Sequence, residues 1–587
     1  AEFAADSRGG VILITLRRRR DGGMDGSLQF STMQSNRIAG YTPSGRIGIR
    51  TGRWTLTASG SGSFTPVAES RFTETRKQAG QRLPFAGRSD SKSRTNYGRG
   101  RFSAVFDPTP KHTAGFDVEY TERSTDMPTL SRTTLGQTQS DSRYRQHMGG
   151  NTLTATANYI WKIDTLGSQF KLIADYTRYT SDGDNSYHTT TSAPGTVRDS
   201  LYESSTGSVY DILTADAGLT RKLPHGLTLR AGLRYTRNGM ADKSRYAAQT
   251  QGTWLALPEY SYDQHYTEQI GAAYASLEYS AGRWELSAGL RGEYTSVASQ
   301  AFGRSYFGLF PNVSVSRALN ALRTWLLVAQ WSRNIERPAF PALHPARIRI
   351  SDYSWQSGNP SLRPTYIHRF SLTAVWKYRY TLTVGGNLHH DLIREIAHRD
   401  ATDPDAVYIR PENHYTENHW FVAASVPAKI TRWWNLSVNA VGVMQRIRLN
   451  STDSPATHYL MFADATCSFT LPAGFFAEAV YRAQSRLYSG NSEVGPRHTL
   501  SATVKKQLFG KRLTLFCTLS NITGCDWEFA SLTDGMRRTI DTRQAWSGRL
   551  WKVGAAWNFR TGKKFRARTV ESAAETQRKR LVKSTEQ

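Results

Sequence analysis

The chain has 587 residues, 39% of them hydrophobic, and its 75 Lys and Arg against 48 Asp and Glu give a net charge of +27. A mean hydropathy of −0.52, with no run of apolar residues long enough to cross a bilayer as a helix, excludes a helical membrane protein. Three cysteines without a CxxC pair argue against a zinc site or a disulfide framework, and no Pro/Ser-rich linker divides the chain. One large all-β object stays open, because strands that alternate between two environments average out in hydropathy.

Taken in chain order, the segments repeat with a period of two. Residues 151–161 put Leu153, Ala155, Ala157, Tyr159 and Trp161 on one face. Residues 227–236 put Leu227, Leu229, Ala231, Leu233 and Tyr235 on one face and Thr228, Arg230, Arg234 and Thr236 on the other. The split recurs at Trp284, Leu286, Ala288, Leu290 and Tyr294, and again at Leu513, Leu515, Cys517 and Leu519. A helix would need apolar residues at i, i+3 and i+4, so these are strands with one apolar and one wet face.

Short connections fall at 51–53, 107–112, 163–168, 223–226, 281–283, 318–323, 377–379, 428–432, 472–474 and 509–512. The stretches between them run to 34–54 residues, most with a polar centre such as 67–91 or 339–365, so each holds a strand, a loop and a returning strand. Ten turns joining eleven hairpins predict a 22-stranded antiparallel transmembrane β-barrel, with short turns on one side and long loops on the other. Trp54, Trp161, Trp284, Trp325, Trp376, Trp433 and Trp434 all sit beside a short turn, as an interfacial aromatic belt requires; Tyr378, Tyr380, Phe475 and Phe476 join them. The polar faces, with Arg230, Arg234, Arg291 and Glu293, point to a hydrated lumen.

The last strand alternates Trp551, Val553, Ala555, Trp557 and Phe559 against Lys552, Gly554, Ala556 and Asn558. Lys552, Gly554, Trp557 and Phe559 resemble the signal that the barrel-assembly machinery reads in final strands. A barrel needs such help because an unpaired edge in lipid leaves backbone groups unsatisfied until closure.

Three stretches resemble TonB-dependent outer-membrane receptors, in the branch with the large outer-membrane β-barrel domain. Residues 1–17, AEFAADSRGGVILITLR, are similar to the closing strand of that family's plug. Within 332–364 the chain has the family's Arg-Pro element, Arg337 and Pro338, and its Gly-Asn-Pro-x-Leu-x-Pro element, Gly358, Asn359, Pro360, Leu362 and Pro364. Thr365 stands where the family often has an acidic residue. The third stretch is the last strand.

The resemblance implies three parts: a remnant of the plug and its link at 1–22, the barrel at 23–560, and a basic periplasmic tail at 561–587. It implies an outer-membrane receptor for TonB-energised uptake of a scarce nutrient, with ferric chelate, cobalamin, oligosaccharide and peptide all open as cargo. TonB would act through a segment upstream of Ala1; taken as written, the chain would form an open pore. The alternatives are a passive outer-membrane pore and a surface adhesin binding through its loops. Expected partners are outer-membrane lipid and lipopolysaccharide, the assembly machinery, a small nutrient ligand and, over the loops, a surface lipoprotein. Arg17–Arg20 and Lys563, Lys564, Arg566 and Arg568 would lie near lipid phosphates at the barrel ends. Nucleic acid is disfavoured, since the basic residues are spread over many strands.

No GxSxG, HExxH or phosphate-binding loop occurs, so no enzyme and no cofactor are expected. His389 and His390 are strand neighbours on opposite faces and cannot chelate one ion. Asp400, Asp403 and Asp405, like Asp182 and Asp184, lack calcium-loop spacing and read as solvated acids. Cys467 and Cys517 read as small hydrophobes and Cys525 as an inert thiol. Phe340, His344, Arg347, Arg349, Tyr353 and Trp355, side chains able to stack and hydrogen-bond, make 339–365 the expected ligand vestibule, against the alternative that this loop only packs on the rim. A basic lumen would favour anionic cargo such as a ferric chelate.

Overall fold

The computed structural model describes residues 22–581 apart from 79–83, 301–302, 346, 352, 402, 404, 534 and 563–569. The expectations for 1–21, for Arg17–Arg20 and for Lys563, Lys564, Arg566 and Arg568 therefore lie outside the described residues.

Twenty-two antiparallel strands close into a barrel, as the turn spacing predicts. Closure pairs the first strand, Gly23–Gln34, with the last, Leu550–Gly562, in register from Gly23↔Gly562 to Gln34↔Trp551. Two glycines make the seam possible. A Cβ on Gly26 would meet the Phe559 ring and come within 2.8 Å of the Arg46 carbonyl. One on Gly554 would strike the Phe516 ring and come within 2.6 Å of the Phe30 carbonyl. Of the four residues that resemble an assembly signal, Gly554 and Phe559 thus belong to the closing contacts, Lys552 pairs with Met33, and Trp557 is exposed on the outer face.

Burial is inverted relative to a water-soluble fold. On the strand Leu227–Thr250 the outward Leu233 is 65% exposed, while Glu293, on the inner face of the strand Trp284–Ser299, is 2% exposed. Lipid is what covers such an outer face. The outer face of Leu227–Thr250 is apolar through Tyr235 and then turns to Arg237, Lys243 and Arg245, which marks where the hydrocarbon band ends. On the same outward face near the short turns, Trp54, Trp161, Trp284, Trp325, Trp376 and Trp433 are exposed and Trp434 is half-buried. Several meet neighbouring rings, among them Trp54, stacked on Phe106, and Trp325, tilted against Trp376.

Crossing a bilayer takes about ten strand residues. The strands Gln169–Ala193 and Thr196–Lys222 have 25 and 27, so their distal halves stand as a wall beyond the membrane. Opposite them the strands Phe475–Gln484 and Leu513–Ser520 are short. There the hairpin Trp527–Thr533 with Met536–Arg543 completes the rim by pairing onto Trp54–Gln78.

Two segments occupy the interior. The loop between Glu336 and Thr365 folds inward, with a 3-10 turn at Phe340–Leu343 and a hairpin of Arg347–Ser351 with Ser354–Ser357. The chain beyond the last strand differs from the expected periplasmic tail: residues 570–581 pack on the luminal wall, with Val570, Ala573, Ala574 and Arg580 buried. Charge patterning hid this, because one arginine pairs there with a luminal carboxylate rather than with lipid phosphate.

Candidate functional site

The family elements form the root of the inward loop. Arg337 is buried, and its Nη2 donates to Glu293 Oε2 at 2.7 Å and to Thr295 Oγ1 at 3.0 Å. Arg291 reaches the same carboxylate at 2.6 Å, so Glu293 holds two guanidinium groups on the lumen wall. Gly358 runs against the 340–344 turn; a Cβ there would clash with the His344 carbonyl and lie 2.8 Å from that of Ala342. Asn359 locks this approach, since its N–H donates to the Ala342 carbonyl at 2.7 Å and its amide to the Pro411 carbonyl at 3.0 Å. Leu362 joins Phe340 and Leu343 in a fully buried cluster with Tyr210, Ile212, Met240, Tyr266 and Val297 of the wall. Pro338 and Pro364 are buried at the two ends of the loop, and Pro360 is half-buried. Thr365 is also buried, its hydroxyl donating to the Asp391 carbonyl at 2.9 Å, so a neutral side chain satisfies the site where an acid is common.

Above this root the expected vestibule residues separate into two groups. Phe340 is 1% exposed and sits in the buried cluster; it is an anchor, not a ligand contact, because the 3-10 turn that begins at Phe340 carries its ring inward. The others lie higher. Trp355 stacks parallel to Tyr260 with centroids 6.2 Å apart, Arg347 lies over Tyr260, and Arg349 lies between Tyr202 and Trp355 at 5.5 and 5.6 Å. His344 meets Tyr262 edge-on and hydrogen-bonds its hydroxyl, with Asp242 3.9 Å away. Tyr353 packs edge-on against Phe85. Arg347 is exposed, while His344, Arg349, Tyr353 and Trp355 are half-buried, so arginine and aromatic faces are presented toward the mouth.

A clamp holds the hairpin to the wall. Glu74 binds Arg76 at 2.7 Å and Arg538 at 2.8 Å, and these arginines donate to the Tyr353 carbonyl and to Ser354 Oγ at 2.9 and 3.0 Å. Burial alone would raise the Glu74 carboxyl, but Arg538 and Arg76 hold it below the usual range. The segment 354–356 also adds a parallel pairing to 407–409. On the opposite wall Tyr246 donates to the Arg347 carbonyl at 2.9 Å, and burial pushes its hydroxyl up to about 12, keeping it a donor.

Sequence reasoning passed over Tyr202, Tyr246, Tyr260, Tyr262 and the Glu74–Arg538 pair. Period-two alternation puts Glu74 and Arg76 on one face, but the partner Arg538 lies 464 residues away. It also passed over a polar cluster on the strand Val407–Lys429, where Glu417 takes hydrogen bonds from Arg394 at 2.8 Å, Gln445 at 2.7 Å and His419 at 2.8 Å. His389 hydrogen-bonds the Glu417 carbonyl, while His390 is exposed beside Asp391, so the two neighbours do point apart. Asp400 and Asp403 accept backbone N–H groups of their own turn. Cys467, Cys517 and Cys525 are free and half-buried, and burial pushes the Cys525 thiol up, away from reactivity. Of the expected luminal residues, Arg234 pairs with Asp216 at 2.6 Å and Arg230 with Glu278.

Residues 161–557 match the model of the outer membrane protein beta-barrel family, and the chain belongs to that family. It is a protein of the outer membrane. No curated protein matches its sequence. Among solved structures it shares its fold with the siderophore receptor PirA from Pseudomonas aeruginosa, at 13% identity over 92% of this chain and 81% of that one, with a TM-score of 0.55. A mutant of the ferric enterobactin receptor PfeA from the same organism aligns at 12% identity over 91% and 80%, with a TM-score of 0.58. The alcaligin receptor FauA from Bordetella pertussis aligns at 13% over 93% and 77%, with a TM-score of 0.52.

Proposed function

We propose that this chain is the barrel of a TonB-energised receptor that takes up a scarce nutrient, with an anionic ferric chelate as the favoured cargo. One observation carries the reading. Arg347, Arg349, Tyr260 and Trp355 are held over the lumen by a clamped, inward-folded loop, where a flat anionic chelate would find both stacking faces and positive charge. The fold shared with receptors described as siderophore receptors supports the same direction. In this reading TonB acts through a segment ahead of the barrel, the assembly machinery engages the final strand through Lys552, Gly554, Trp557 and Phe559, and lipopolysaccharide meets the wall above the aromatic belt.

Binding tests the cargo. Ferric catecholate and ferric hydroxamate chelates titrated into the detergent-solubilised protein should quench tryptophan fluorescence, and the affinity should fall with added salt. Arg349→Glu should weaken the binding about tenfold or more, by like-charge repulsion at a partly desolvated site. Binding that is indifferent both to salt and to Arg349→Glu would overturn the anionic cargo.

A further inference from the structure

Residues 570–581, VESAAETQRKRL, climb the inner wall from near the short-turn end to the root of the inward loop, and a wall partner meets them at each level. Val570 fits where Gly115 leaves room; its methyl lies 3.0 Å from the place a Cβ on Gly115 would take. Glu571 pairs with Lys171, and the Ala573 N–H donates to the buried Asp175 at 2.7 Å. The helical turn Glu575–Arg578 then brings Gln577 to Asn238 at 3.1 Å. Arg580 ends the climb. It is 6% exposed, binds Glu268, donates to the Pro338 carbonyl at 3.0 Å and lies 4.3 Å over the Phe340 ring. Leu581 packs on the cluster that holds Phe340, Leu343 and Leu362.

Such contacts form a built site. Glu268 is 1% exposed and also accepts from Asn238 at 2.8 Å and from the Tyr266 hydroxyl at 3.4 Å, both neutral, so Arg580 supplies a hydrogen-bonded cation that a carboxylate in this position requires. Small residues, Ser572, Ala573 and Ala574, lie where the segment runs against the wall. The levels draw on four strands, with Gly115 on His112–Leu135, Lys171 and Asp175 on Gln169–Ala193, Asn238 on Leu227–Thr250 and Glu268 on Tyr262–Ala281, so the match is to the curved interior and not to one edge.

We propose that the segment 570–581 is a luminal plug carried by the barrel itself, which obstructs the pore and is fastened to the Arg337–Pro338–Phe340 root through Arg580. Its withdrawal toward the short-turn end would free both the lumen and the base of the inward loop. The proposal is independent of the cargo and of the energy source.

Single-channel recording tests it, with the 587-residue chain in planar bilayers compared with a chain ending at Arg568. The full chain should show low conductance, and the shortened chain a steady conductance at least several-fold larger. Arg580→Glu should flicker between the two levels, and Arg580→Glu with Glu268→Arg should return toward the low level. If shortening impairs assembly, a second pair decides: in the Arg580→Glu chain, Ala573→Cys with Asp175→Cys should form a disulfide that abolishes the flicker and holds the low level until reductant is added. Equal conductance of full and shortened chains, or introduced thiols that fail to cross-link in the assembled barrel, would overturn the plug. Neither result would touch the chelate-binding measurement, so the two readings fail separately.

Discussion

Arg337 and Gly358 show how a short motif becomes a structural instruction. The guanidinium of Arg337 is placed between Glu293 and Thr295 inside the lumen, and Gly358 allows two backbones to touch. Arg337→Ala leaves Glu293 with one guanidinium partner and should cost about 3 kcal/mol or more. Gly358→Ala forces the 340–344 turn away and should cost about 2–3 kcal/mol. Urea unfolding of both variants in detergent, with limited proteolysis of 337–364, checks these values and should show the loop cut first. Asp242 supplies a pH dependence. It stands past the end of the outer apolar band, buried beneath the loop near Tyr210 and His344, and burial raises its carboxyl to about 6. Its folded-state pKa lies above the unfolded value near 4, so protonation stabilises the folded form. That contribution is complete below about pH 4 and is lost as the pH rises through 6, by roughly 3 kcal/mol. Relative to Asp242→Asn, the natural protein should therefore lose stability between pH 4 and 6, measured by parallel melts; a constant difference would refute the assignment.

At the scale of elements, hairpins were legible because two signals coincide. Alternation at 227–236 and 284–294 names the lipid face, and the turns at 51–53, 223–226 and 472–474 set the spacing, so register and strand number follow. The closing seam was legible only as a pattern at 552–559; that Gly26 and Gly554 each lie beneath a phenylalanine depends on the pairing of the chain's two ends. Gly554→Val should therefore slow or block closure, seen as loss of the heat-modifiable folded band in cold SDS gels, while Ala556→Val in the same strand should assemble normally. The inward loop was half legible. Its aromatic and arginine content marked a vestibule, yet Phe340 became an anchor, because burial is decided by Tyr210 and Leu362, residues far away in sequence. The last segment was read as a basic tail because its luminal partners Glu268 and Asp175 lie 312 and 398 residues earlier.

For the whole molecule, an apolar belt on the outside, charge pairs within and a clamped loop over the lumen make a membrane-embedded wall whose two ends differ; in the proposed reading one end binds cargo and the other is where opening begins. Carboxylates offset charge at luminal arginines such as Arg291 and Arg337, so these pairs add little to the net charge of +27, whereas at the mouth Arg347 and Arg349 lie over aromatic rings. An energised receptor and a passive pore differ in one observable. Intact cells making the native protein are given labelled ferric chelate, and accumulated iron is followed with and without a protonophore that collapses the inner-membrane gradient. The account predicts that surface binding persists while accumulation stops; accumulation that continues unchanged without the gradient would contradict it.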